Sequence, residues 1–145
     1  GIPVERLEQL FAPFVRGEER GHGAGQSGVG LGLFIARQAA EQGLSIPPWD
    51  EIDTGVLTLP EEQQIIKRLL QFPDMVAAAA RALEPHRVAY WLQELAGLFH
   101  PYYRAHRVLQ ADRALALGRF ALCTAVGQVV ANGLDLLGVS APGTM

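Results

Sequence analysis

Two stretches of the chain hold residues whose types and spacing could do chemistry. In the first, GVGLGLFIARQ, the glycines Gly28, Gly30 and Gly32 precede Leu33, Ile35, Ala36, Ala39 and Ala40. Glycines opening a helix are the usual way to bring a phosphate close to free backbone N–H groups. The same spacing is also met in a plain flexible loop with a glycine-tolerant helix start, and residue type alone leaves both open. In the second, aromatic and basic side chains alternate within six residues: Tyr102, Tyr103, Arg104, His106 and Arg107. Other groupings point to no site. Asp50, Glu51 and Asp53 lack the fixed glycine and twelfth-position Glu of a calcium loop and read as a solvated acidic loop. His86, His100 and His106 have no Cys or acidic partners at ligand spacing, so no metal set is expected. Cys123 lies in an apolar helical stretch and reads as core, not nucleophile.

The bulk properties narrow the classes of function. The chain has 145 residues, 49% of them hydrophobic, which is one domain with enough apolar surface for a core. A single cysteine allows no disulfide framework and fits a reducing cytosol, so a cytoplasmic location is expected. No membrane span and no signal peptide are expected. Net charge is −3, but residues 1–59 hold eight acids and four bases while residues 60–145 hold seven acids and eight bases. Neither part is basic enough to bind nucleic acid by charge alone, so an RNA partner must be held by a localised patch and DNA is not expected.

Those residues must be positioned by helices. Glu84 to Tyr103 reads as one long helix with Pro85 in its first turn, where the missing N–H costs nothing. Val88, Leu92, Leu95, Phe99 and Tyr103 form its apolar stripe, and Arg87, Gln93, His100 and Arg104 lie opposite. Pro101 should bend it, aiming Tyr102, Tyr103 and the basic run away from the first half. Upstream, EEQQIIKRLLQ is a helix with Ile65, Ile66, Leu69 and Leu70 inward, its acids early and Lys67 and Arg68 late, as the helix dipole favours. Pro73 starts the next helix, whose alanines 77–80 permit close packing. The last helix, from about Ala111 to Leu137, is apolar nearly all round, with Gln128, Asn132 and Asp135 as one polar strip and Gly138 as its cap. Residues 44–60 read as a proline-rich connector pinned by Trp49 and Leu57. Residues 1–16 read as a turn and short helix, and 17–28 as a mobile loop. Gly43 should cap the helix that follows. The fold class is therefore all-α, an antiparallel helix bundle preceded by a glycine-rich loop and helix.

Two resemblances add to this reading. From Leu59 onward, LPEEQQIIKRLLQFPDMV, EPHRVAYWLQELAGLFHPYY, RVL and QVVANGLDLLGVSAP-x-x-M closely resemble the C-terminal anticodon-binding domain of arginyl-tRNA synthetase. ARQAAEQGLSIPP resembles the helix leading into that domain, so the likeness covers about residues 37–145. Residues 1–42, with GIP-x-E-x-LEQLFAPFVRG and GVGLGLFIARQ, resemble the C-terminal part of a sensor histidine kinase ATP-binding domain. Phe11, Pro13 and Phe14 match its phenylalanine box, and Gly28, Gly30 and Gly32 its second glycine box. The chain thus looks like a chimera joined at ARQAAEQ, with a kinase-like part over 1–43, a linker over 44–59 and the anticodon-binding bundle over 60–145.

The first resemblance implies a module that grips the anticodon loop of an arginine tRNA. It places an anticodon-facing aromatic at Tyr103, and Met145 against the loop, where a thioether packs on a base. The residue chemistry agrees, since unpaired bases are read by stacking and edge hydrogen bonds, with cations on nearby phosphates. Tyr102 and Tyr103 would stack, Arg104 and Arg107 would meet phosphates, and Asn132 or Gln128 would meet a base edge; by residue type alone either tyrosine equally reads as a core aromatic, Arg104 equally as a solvated face, and Asn132-Gly133 more readily as structural. Gly143 and Thr144 stand where the family usually carries a charged pair. The second resemblance implies ATP at Gly28, Gly30 and Gly32, but the kinase's adenine-reading Asp and Mg²⁺-holding Asn have no counterpart here. A class I synthetase's His-x-Gly-His and Lys-Met-Ser-Lys segments are likewise not in the sequence. The chain is expected to bind tRNA without being an enzyme or needing a cofactor. The alternatives are a nucleotide-binding remnant and a chimera with no ligand.

Overall fold

A computed structural model describes residues 30–138, with side chains from residue 35 onward. The described residues form five helices and no strand. These are α1 (Gly30–Glu41), α2 (Pro60–Leu70), α3 (Phe72–Ala82), α4 (His86–Ala105) and α5 (Arg113–Leu136), with two short 3₁₀ turns, Trp49–Glu51 and Thr54–Val56, between α1 and α2. The all-α expectation holds. The phenylalanine box, the glycine-rich lid, Gly28 and Met145 lie outside the described residues.

Local chemistry sets each boundary. α1 ends where Gly43 turns left-handed (φ +75°), with Leu44 N–H donating to the Ala39 carbonyl at 2.8 Å and Gly43 N–H to that of Ala40 at 3.0 Å. These two bonds satisfy carbonyls that the helix end would otherwise orphan. Pro60 starts α2, and the Glu62 carboxylate reaches back to the Leu59 N–H at 3.1 Å. α3 ends in the same two-bond pattern as α1, but with Leu83 at the left-handed position (φ 55°). Asp112 caps α5 by accepting from the Leu115 N–H at 3.2 Å. α4 runs on through Pro101 to Ala105.

One core joins all five helices. Ile35 and Ala39 of α1, Ile65 of α2, Ala79 of α3, the Val88–Leu92–Leu95–Phe99 stripe of α4, and Phe120, Cys123, Val126 and Val130 of α5 belong to one buried cluster. The core therefore begins on the N-terminal side of residue 43, with α1 inside it. Two expectations change. Leu70 is exposed, because α2 turns its last apolar residue away from α4. The α4 stripe passes from Phe99 to Tyr102, which is buried, leaving Tyr103 half-buried at its edge; a step of three keeps Tyr102 on the packed face. α5 is long and apolar enough to cross a membrane by length and composition alone, which the sequence reading does not anticipate. Its apolar side chains are accounted for by its central place in the bundle, as a helix apolar all round requires.

The connector is fastened along α5. Leu57 is buried, and Trp49, although more than half exposed, stacks on Phe120 at 5.6 Å with the rings 7° from parallel. Arg113 Nη2 donates to the Ser45 carbonyl at 3.2 Å. Asp53 accepts from the Gly55 N–H at 2.8 Å, so its carboxylate closes a turn, and among the described residues no three His, Cys, Asp or Glu gather as a metal site.

Candidate RNA-binding groove

The C-terminal end of α4 and the loop that follows it meet α1 across an open groove of about 560 Å³. One wall is α1 and the turn that ends it, through Ile35, Gln38 and Gln42, which the i, i+3, i+7 spacing puts on one face. The other wall is continuous chain from Tyr103 to Leu109. Ile35, Val108 and Leu109 are buried and form the apolar floor, while Gln38, Gln42, Arg104 and Arg107 are exposed. Among the described residues, the lining holds two arginines, a histidine and two glutamines, and no carboxylate. In a chain of net charge −3, that is a local excess of positive charge.

Three of the sequence-predicted residues come together here: Tyr103, Arg104 and Arg107. Tyr103 stacks on Phe99 at 5.6 Å and 25°, which fixes the plane of its ring, and burial raises its phenol above the ordinary value. Its partial exposure leaves ring surface at the groove. His106 joins the same wall, packed on Tyr102 at 5.1 Å.

The others lie elsewhere. Tyr102 is 2% exposed, so its ring offers no face to a base. Its hydroxyl donates to Glu62 Oε1 at 2.8 Å. Burial, then this bond and the Glu62 charge, push its phenol far above the ordinary range, with Arg119 acting weakly the other way. Asn132 does not line the groove; it sits exposed on α5, where its Oδ1 accepts from Gln128 Nε2 at 2.9 Å. Gly30 and Gly32 fall in the first turn of α1.

Sequence reasoning missed the group that carries this wall. Arg119, 8% exposed, donates from Nε to Glu62 Oε1 at 2.8 Å and from Nη1 to the Arg107 carbonyl at 3.1 Å. Glu62 is fully buried, and between them its two oxygens accept from Arg119, Tyr102 and the Leu59 N–H. A buried charge pair is tolerable because its polar atoms are matched in this way. A signal was present: Arg119 is the single charged residue between Arg113 and Asp135 in an otherwise apolar helix. Gln38 and Gln42 gave none, since glutamines on an exposed helix face are ordinary.

Comparison with known proteins bears on what such a groove serves. The family model described as the DALR anticodon binding domain matches residues 34–145. The chain is 49% identical over 116 residues to an arginine–tRNA ligase from Anaeromyxobacter sp. (strain Fw109-5), covering 77% of this chain and 19% of that protein. It is 47% identical over 111 residues to the arginine–tRNA ligase of Acidithiobacillus ferrooxidans, with the same coverage. It is 46% identical over 111 residues to that of Bordetella pertussis, covering 77% and 20%. The chain thus spans about a fifth of the length of these relatives. No solved structure matches it significantly. The described residues form an all-helical bundle, the family model matches most of the chain, and the chain belongs to the DALR anticodon-binding domain family.

Proposed function

We propose that the chain binds the anticodon loop of an arginine-accepting tRNA in the groove between α1 and the C-terminal end of α4, and that it does so without aminoacylating. The observation that carries this reading is the composition of the groove among the described residues: an aromatic ring held at a fixed angle, two exposed arginines and a histidine on one wall, two amide side chains on the other, and no carboxylate. An unpaired base stacks on Tyr103, with each such stack worth about 1–3 kcal/mol. Arg104 and Arg107 meet the phosphates on either side, and Gln38 or Gln42 offers both a donor and an acceptor to a base edge. The arginine tRNA is the choice favoured by the names of the relatives, and the cytoplasm is the corresponding compartment. Stacking and ion pairing need no cofactor.

The test is binding of arginine tRNA by Tyr103→Ala and Arg107→Ala variants of the full chain, with helicity checked by circular dichroism. Each should weaken binding by about tenfold or more, and Arg107→Ala should also flatten the salt dependence by about one counterion. Unchanged affinity in both, with the fold intact, would exclude this groove.

A further inference from the structure

One buried side chain, Arg119, ties the loop part of the groove's second wall to the bundle. Residues 106–112 connect α4 to α5, and their main chain carries His106 and Arg107 on one rim. Val108 and Leu109 press into the core, and the turn before them is held by the Arg119 hydrogen bond to the Arg107 carbonyl. The other end of the same guanidinium is held by Glu62, which also receives Tyr102 from the last turns of α4. One planar cation therefore joins α5 directly to α2 and the loop, and to α4 through Glu62, beside the point where the Arg107 side chain leaves the main chain.

We propose that Arg119 is a positioning residue for RNA binding: through its fork to Glu62 Oε1 and the Arg107 carbonyl, it sets where the Arg107 side chain and the loop stand in the groove. This rests on the RNA-binding reading of that groove and goes beyond it, because Arg119 is buried and lies behind the residues that line the groove. The fork matters more than the charge. Guanidinium presents donors in a rigid plane that reach two acceptors on different elements at once, whereas an ammonium on a flexible stem is a point donor. Arg119→Lys thus keeps a cation beside Glu62 but gives up the simultaneous hold on the loop.

The experiment uses the full chain and two readouts. The first is the rate of tryptic cleavage after Arg107, followed by mass spectrometry, since the scissile carbonyl is the one Arg119 holds. The second is affinity for arginine tRNA. Val130→Ala is the stability control: it truncates a buried core residue about 16 Å further along α5. In Arg119→Lys, cleavage after Arg107 should rise at least tenfold and tRNA affinity should fall about tenfold, in line with losing one ordered contact. Val130→Ala should change both by less than twofold while lowering Tm. If Arg119→Lys folds poorly, the pair Glu62→Leu with Arg119→Met replaces the buried ions by apolar groups and should show the same loosened loop and weakened binding. Wild-type cleavage rates in these variants, or equal affinity losses in Arg119→Lys and Val130→Ala, would overturn the proposal. If the wild-type chain bound no tRNA, the functional reading would fall, and the cleavage comparison would by itself uphold or overturn the tether.

Discussion

Arg119 Nε meets Glu62 Oε1 at 2.8 Å across 57 positions of sequence, with Glu62 fully buried and Arg119 nearly so. Such a pair adds little net stability over apolar residues of the same shape, yet breaking it is costly, because the partner left behind is an unpaired buried charge. Glu62→Ala should therefore lower unfolding free energy by about 3–5 kcal/mol. Replacing both partners by leucine and methionine should cost much less than either single change. Urea unfolding of the three variants checks this. A loss below about 1 kcal/mol for Glu62→Ala would mean the ion pair is wet in solution.

A second expectation follows from Cys123 and Tyr102, two of the three described groups that burial holds protonated, Tyr103 being the third. Burial pushes the Cys123 thiol up to about 12, partly offset by Arg119, and Tyr102 is raised too, first by burial and then by Glu62. In both, the folded chain keeps its proton at a pH where the unfolded chain loses it, so deprotonation favours unfolding. Their contribution is fully present below about pH 9, falls as pH rises from about 9 toward 12 through Cys123, and falls further through Tyr102 from about pH 10 upward. Thermal unfolding across pH 7–11 should show a decline that begins near pH 9 in the wild-type chain and about one unit later in Cys123→Ala. A coincident onset in the two proteins would contradict the assignment.

At Gly133, α5 packs directly on the Leu92 side chain of α4. A Cβ there would stand 2.8 Å from both Leu92 Cδ1 and Cδ2, and Leu92 is fully buried. Alanine's better helix propensity, about 1 kcal/mol, is opposed by overpacking of about 1–3 kcal/mol. Gly133→Ala should therefore be neutral to destabilising by about 2 kcal/mol. Gly97→Ala, where a Cβ meets nothing within 4 Å, should stabilise by about 1 kcal/mol. Opposite signs of the Tm shift in the two variants are the outcome to look for.

What could be read from sequence, and what could not, divides along range. The helices follow from local signals: proline at the starts of α2 and α3, Gly43 past the end of α1, and the apolar spacing of α4. The groove was half readable, because Tyr103, Arg104 and Arg107 are neighbours in sequence and one helical turn keeps them together. Its other half was not. Gln38 and Gln42 reach it only because α1 packs on α5 and so borders the groove at the end of α4, more than sixty positions away. Tyr102 went to the core for a related reason. Adjacent tyrosines at a helix edge differ by 100° in direction, and the Glu62 acceptor that decides which one is buried lies forty positions upstream.

The most direct measurement is a titration of the full chain with an arginine tRNA and with a non-cognate tRNA, each at 50 and 200 mM salt. The account predicts tighter binding to the arginine tRNA, at least tenfold over the other, with both weakening as salt rises because phosphates are contacted. Equal weak binding of the two, in the non-specific range of ~10⁻⁴–10⁻⁶ M, would contradict it and leave the groove without a role in reading an anticodon.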